Sequence, residues 1–125
     1  MWNLDLEDGP IYAQIVREVE RMLARGQMKP GDKLPSAREL AAALKVNPNT
    51  VIHAYSQLEI AGVAETRRGL GTFVRGDVNV EGIRLRILQE AALRFWSEVQ
   101  NLGLSLQDAQ KALQNLVSNG QRGAE

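Results

Sequence analysis

Residues 36–58 read SARELAAALKVNPNTVIHAYSQL, and they decide how the rest of the chain is read. Ser36 with Glu39 three positions later has capping-box spacing, in which the hydroxyl and the carboxylate satisfy free backbone amides at a helix start. Leu40, Ala41 and Leu44 then supply a short buried stripe. Lys45-Val46-Asn47 is too brief to be a linker, and Asn47-Pro48 restarts a helix at once, with asparagine as the cap and proline at the first helical position. Two helices joined by about three residues form a helix-turn-helix candidate.

The second helix has two distinct faces. Turned at about 100° per residue, Val51, Ala54, Tyr55 and Leu58 gather on one side, while Asn49, Thr50, His53, Ser56 and Gln57 occupy the opposite arc. The first side suits packing. The second is rich in hydrogen-bonding groups, which suits the base edges of a DNA major groove, although a merely solvated helix face would show the same pattern.

Upstream, Gly9-Pro10 opens a helical pattern in which Ile11, Ile15, Val19, Met22 and Leu23 recur at steps of three or four, and Gly26 ends it. The segment Met28 to Pro35 holds a Pro-Gly turn and two prolines, a tight connection with at most a short strand. Downstream, the helix runs to Gly62. Val63-Ala64-Glu65-Thr66 and Thr72-Phe73-Val74-Arg75 then flank Arg67-Arg68-Gly69-Leu70-Gly71, a β-hairpin with glycines for its turn. Residues 76–82 are polar and poorly patterned, and mark a hinge. Beyond them Ile87, Leu88, Ala91, Ala92, Phe95, Val99 and Leu102 outline a long amphipathic helix broken at Gly103, and a cap at Ser105 with Asp108 starts another carrying Ala109, Ala112, Leu113, Leu116 and Val117. Two helices alone bury little. Their apolar faces call for a second copy of the chain, with Leu88, Ala92, Phe95, Val99, Leu106, Leu113 and Leu116 at the seam.

The expected fold class is therefore mainly α with a small β-hairpin: an N-terminal winged helix-turn-helix over residues 1–76, then a linker and a two-helix dimerisation hairpin over 77–125. With 125 residues and 44% hydrophobic positions, the chain is long enough for one sizeable core. There is no cysteine, so disulfides, thiolate nucleophiles and thiolate zinc sites are excluded. The N-terminus lacks a signal-peptide pattern and no apolar run approaches the ~18 residues of a membrane span, so the expectation is a cytoplasmic protein with no membrane partner. Fifteen basic residues balance fifteen acidic ones, but not evenly: residues 33–75 carry 6 basic and 3 acidic, a local net charge of +3. A single histidine and scattered carboxylates offer no triad, no metal constellation and no Walker lysine. No catalytic residue, metal or cofactor is expected.

Pro10 to Ile15, Gly31 to Ala41, Val46 to Val51, Ala54-Tyr55 with Leu58-Glu59, and Gly69 to Val74 together resemble the DNA-binding domain of GntR-family transcription regulators. The short remainder resembles the YtrA-type subfamily, whose small C-terminal part dimerises. The resemblance implies a homodimer that binds a palindromic operator in double-stranded DNA, usually as a repressor of a nearby transporter operon. The competing reading is a winged-helix module used for protein contacts. In the GntR-like reading Arg38 contacts phosphate or guanine, Asn47, Asn49, Thr50 and His53 lie on the groove-facing helix, and Arg68 and Gly69 form the wing tip. Ser36 is a cap that can also meet a phosphate, and Lys45 and Arg67 are further phosphate candidates. Ile52 and His53 depart from the resemblance, because basic residues are frequent at these two positions; the expected consequences are lower affinity and, through His53, some pH dependence of binding. Any effector would have to lodge between the C-terminal helices near Phe95 and Trp96 or at the dimer seam, and its identity is unknown.

Overall fold

The computed structural model describes Trp2, Leu4 and residues 9–124, with side chains described as far as residue 120. Five helices and one hairpin follow in the order α1 (Ile11–Ala24), α2 (Ala37–Leu44), α3 (Pro48–Ile60), β1 (Ala64–Arg67), β2 (Gly71–Val74), α4 (Val80–Asn101) and α5 (Leu106–Ala124). The chain divides into two compact units, one ending at Leu85 and one beginning at Arg86.

The N-terminal unit is built around α3. Both α1 and α2 pack on it, and the core takes Ile15, Val19, Met22 and Leu23 from α1, Leu40 and Ala41 from α2, and Val51, Ala54, Tyr55 and Leu58 from α3, joined by Leu34, Val63, Ala64 and Val74 from outside the helices. The expected stripe of α1 is thus buried apart from Ile11, which lies half-exposed at the first turn. Helices α2 and α3 start where their cap chemistry directs. Ser36 Oγ accepts from the Glu39 amide at 3.1 Å while the Ser36 amide donates to Glu39 Oε1 at 3.4 Å, the reciprocal pair of a capping box. Asn47 Oδ1 accepts from the Asn49 amide at 2.8 Å, with Pro48 at the first helical position.

Helix ends are handled differently. Gly26, Gly62 and Gly103, just past α1, α3 and α4, all have positive φ. At the end of α2 the same left-handed conformation falls on Lys45, with φ 58° and ψ 47°, and Lys45 is the one non-glycine with positive φ among the described residues. The tight turn into Asn47 requires it. The Val46 amide folds back onto the Ala41 carbonyl at 3.0 Å.

The hairpin pairs Ala64 with Val74, Glu65 with Phe73, Thr66 with Thr72 and Arg67 with Gly71. The strands therefore extend one residue nearer the tip than the sequence pattern predicts, leaving Arg68-Gly69-Leu70 as the loop. The Leu70 amide closes the turn on the Arg67 carbonyl at 2.9 Å, and Gly69, third in that turn, has φ 77°, which glycine adopts without steric cost. The short strand allowed for before Pro35 is a bridge from Lys33 to Phe73. Its flanks are tied as well: the Leu34 amide donates to Thr72 O, and the Val74 amide to Asp32 O, both at 2.8 Å.

The polar stretch 76–82 is closely stapled. Arg75 binds Asp77 through two hydrogen bonds of 2.9 Å, Asn79 Oδ1 accepts from the Gly82 amide at 2.9 Å, and the Asn79 side chain fills the space that a Cβ on residue 82 would need. Ile83 is buried, and Arg84 sends Nε and Nη2 to the Ala24 carbonyl at 3.0 and 2.8 Å while also binding Glu81. A cation thus sits on the last carbonyl of α1, where the helix dipole favours it. The first turns of α4 belong to the N-terminal unit.

In the C-terminal unit, Ser105 and Asp108 make the expected cap: the Ser105 amide donates to Asp108 Oδ2 at 2.9 Å and the Asp108 amide to Ser105 Oγ at 3.2 Å. The Ser105 amide and, with it, the Ser105 hydroxyl, which donates to the same Oδ2 at 3.0 Å, hold the Asp108 carboxyl below the usual carboxylate range. Val99 and Ala109 are covered inside the hairpin itself. Leu88, Leu102, Leu106, Leu113, Leu116 and Val117 are exposed in the single chain.

An L-residue in the left-handed region costs about 1–2 kcal/mol, whereas glycine there gives up only about 0.5–1 kcal/mol of extra chain entropy. Lys45→Gly is therefore expected to raise unfolding stability by about 0.5–1 kcal/mol, read as a higher urea midpoint with unchanged slope.

Candidate nucleic-acid interface

Burial of Val51, Ala54, Tyr55 and Leu58 turns the remaining arc of α3 outward. Asn49, His53 and Ser56 are exposed there, and Thr50 and Gln57 are half-exposed at its border. The arc also carries Ile52 and Glu59, which the polar reading of this face left out; both are exposed. Glu59 is engaged, its carboxylate accepting a hydrogen bond from the Thr66 hydroxyl of β1. His53 stands edge-on to Tyr12 of α1, with ring centroids 4.0 Å apart and an interplanar angle of 63°. This cross-helix pair has no signature in helical periodicity, because it depends on how α1 crosses α3.

The cations divide into paired and unpaired groups. Arg67 is held by Glu65, with Nε and Nη2 3.0 and 2.9 Å from Oε1, and its guanidinium lies 4.2 Å from the Phe73 ring centroid. Arg75 is bound to Asp77, and that hydrogen bond is the main reason the Asp77 carboxyl sits below its ordinary range. Arg38 on the first turn of α2, Lys45 between the helices and Arg68 at the wing tip are exposed and make no ion pair among the described residues. Of the three acids in residues 33–75, Glu39 closes the cap of α2, Glu59 binds Thr66 and Glu65 binds Arg67. None neutralises Arg38, Lys45 or Arg68.

Two other predicted residues are engaged in local structure. Ser36 Oγ serves the cap of α2, and Asn47 Oδ1 serves that of α3. Gly69 remains at the exposed tip with open space around it. Arg38, Lys45, Asn49, Thr50, His53, Arg68 and Gly69 thus retain donors or open backbone, whereas Arg67 is paired with Glu65 on its own strand and lies over Phe73 of β2.

What fixes α2 relative to α3 is Tyr55. Its hydroxyl donates to the Pro35 carbonyl at 2.7 Å, just before the cap of α2. Burial, with a smaller contribution from the nearby Glu39 charge, pushes the Tyr55 phenol well above its ordinary value of 10.0.

This arrangement meets a known pattern. The pattern for bacterial regulatory proteins of the gntR family matches residues 11–74, from the start of α1 to the last residue of β2. The chain belongs to the gntR family. It is 38% identical over 112 residues to the HTH-type transcriptional regulator YhcF of Bacillus subtilis, covering 89% of this chain and 93% of that protein. The HTH-type transcriptional repressor YtrA of the same organism is 41% identical over 101 residues, covering 78% of this chain and 77% of YtrA. Among solved structures, a GntR family transcriptional regulator from Listeria monocytogenes superposes with a TM-score of 0.83 at 34% identity, covering 90% of this chain and 98% of the other. These relatives are named as regulators rather than enzymes. The likeness to YtrA and YhcF extends past the gntR-family segment into the C-terminal helices. No helix of the described residues is long and apolar enough to cross a membrane, and among them no group of three or more metal-ligating side chains is placed to hold an ion.

For this gntR-family chain the Tyr55 bond has a measurable signature. Because the folded phenol is raised, its contribution to stability is complete below the unfolded value of 10.0 and declines as pH rises beyond it. The Tyr55 phenolate, assigned by difference against Tyr55→Phe in an ultraviolet titration, should appear only well above pH 10 or on alkaline unfolding. At neutral pH Tyr55→Phe should lose about 1 kcal/mol through the orphaned Pro35 carbonyl, read by urea unfolding.

Proposed function

We propose that this chain is a sequence-specific double-stranded-DNA-binding regulator that acts as a homodimer on a palindromic operator and represses transcription. The observation that carries the reading is that Arg38 on α2, Lys45 at the start of the turn into α3 and Arg68 at the wing tip are exposed and make no ion pair among the described residues, beside the exposed polar arc of α3. Cations left without partners suit phosphate oxygens, and polar side chains between them suit base edges. In a helix-turn-helix the second helix enters the major groove, which would be α3, while the wing reaches the adjacent backbone through Arg68 and Gly69. Repression as the mode of action is supported by the similarity to a protein named as a transcriptional repressor. Control of a neighbouring transporter operon is the corresponding proposal for its targets.

The dimer is proposed on the exposed apolar surface of the C-terminal unit. Leu88 is 63% exposed, Leu116 67% and Leu106 58%, and Ala92, Phe95 and Leu113 are exposed as well. Side chains of this kind gain about 1.5–3 kcal/mol each when fully covered. A two-fold partner would cover the same face on both chains. Val99 then acts from within, bracing the hairpin rather than meeting the partner directly.

If the dimer neutralises about six phosphates, log affinity against log salt should fall with a slope near −5. On a palindromic fragment from upstream of its gene, Arg38→Met should weaken binding and reduce that slope by about 2, one phosphate per subunit. Arg67→Met should change the slope far less, because Glu65 already compensates its charge. A protein that ignores every duplex at low salt would overturn the reading. Leu113→Glu with Leu116→Glu should convert the dimer to monomers in sedimentation, and a wild-type chain that sediments as a monomer would remove the two-fold mechanism.

A further inference from the structure

Ile52 is out of keeping with its surroundings. It is 54% exposed on α3, flanked on the same arc by Asn49 one turn before and Ser56 one turn after. A branched aliphatic side chain half in water gains nothing from that position in the free protein. It borders an open groove of about 320 Å³ between α3 and the hairpin, whose other walls include Ser56, Glu59, Thr66 and Thr72. Ala37 and Tyr55 complete a mixed lining, and Glu59 is already bound to Thr66. The free chain does not cover Ile52, and the groove leaves it accessible.

The apolar character of Ile52 selects its partner. Among the base edges exposed in a major groove, the C5-methyl of thymine is the one apolar group that projects into the groove, where cytosine has only a C5 hydrogen and the other distinguishing features are hydrogen-bond donors or acceptors. An isoleucine cannot satisfy a donor or acceptor, and pressing it against one would leave a buried polar group unpaired. We propose that Ile52 is a specificity-determining residue that reads a thymine methyl group in each operator half-site. The inference rests on the DNA-binding reading above and adds to it a base preference. Asn49 and Ser56 lie about 4.5 and 6 Å away along the helix axis, so the thymine falls within one or two base pairs of the base that Asn49 contacts. Ile60 is exposed too, but it ends α3 two turns further on, beyond the N-terminal half that helix-turn-helix proteins direct at base edges.

The test removes only the methyl. Duplexes are first selected from a randomised library with the wild-type chain and with Ile52→Ala and Ile52→Gln. Each thymine of the preferred wild-type half-site is then replaced in turn by deoxyuridine, which leaves all hydrogen-bonding groups in place. One position per half-site should cost the wild type about three- to tenfold in affinity, the scale of one buried methyl contact. The same replacement should cost Ile52→Ala less than about twofold, and Ile52→Gln should drop the thymine from its selected consensus. Ile52 contributes little to the core, so both variants should keep the wild-type circular dichroism and melting temperature. Deoxyuridine tolerated at every position would overturn the proposal, as would a penalty of equal size in Ile52→Ala, which would place the methyl against another residue. A wild-type chain that enriches no duplex fails at the earlier step and takes the DNA-binding reading with it.

Discussion

Val51, Ala54 and Leu58 are sealed from solvent, and Tyr55 nearly so; this single strip fixes the rotation of α3 about its own axis. Rotating the helix by one residue would push either Thr50, His53 and Gln57 or Ser56 and Glu59 into the core, burying polar groups without partners. Among the described residues no buried side-chain nitrogen or oxygen lacks a partner, so the observed rotation is one that polar chemistry permits. The outward arc then follows as the complement of the buried one. Tyr55 belongs to both problems, since its ring fills the core and its hydroxyl ties down the entry to α2.

Much of this was legible in residues 36–58. The caps at Ser36 and Asn47 are local, each bond spanning two or three residues, so sequence spacing contains nearly all the information needed to place them. The buried face of α3 is equally local in origin, because periodicity alone separates Val51, Ala54, Tyr55 and Leu58 from their neighbours. What escaped notice depends on distance along the chain. The Tyr55 bond to Pro35 joins residues 20 apart, and the Arg84 bond to Ala24 joins residues 60 apart. The left-handed Lys45 was also missed, since the turn demands a conformation that glycine usually supplies and the sequence shows a lysine there.

The charge pattern shows a similar division. A local net charge of +3 over residues 33–75 says only that cations are in excess. Which ones are available depends on geometry: Glu65 sits across from Phe73 in the hairpin register and holds Arg67, whose guanidinium lies over that ring, and Asp77 takes Arg75 just beyond the strand. Arg38, Lys45 and Arg68 escape such neighbours because the acids nearest them are engaged elsewhere. Their freedom also costs the fold little, since exposed ion pairs contribute only about 0–1 kcal/mol.

The guanidinium of Arg84 on the last carbonyl of α1 binds together two helix ends that are far apart in sequence. Fraying the final turn of α1 strips Arg84 of its acceptor, and unwinding the start of α4 removes the cation from that carbonyl. Neither end can loosen without exposing the other, so amide exchange at the two sites should follow one shared opening event rather than two independent ones.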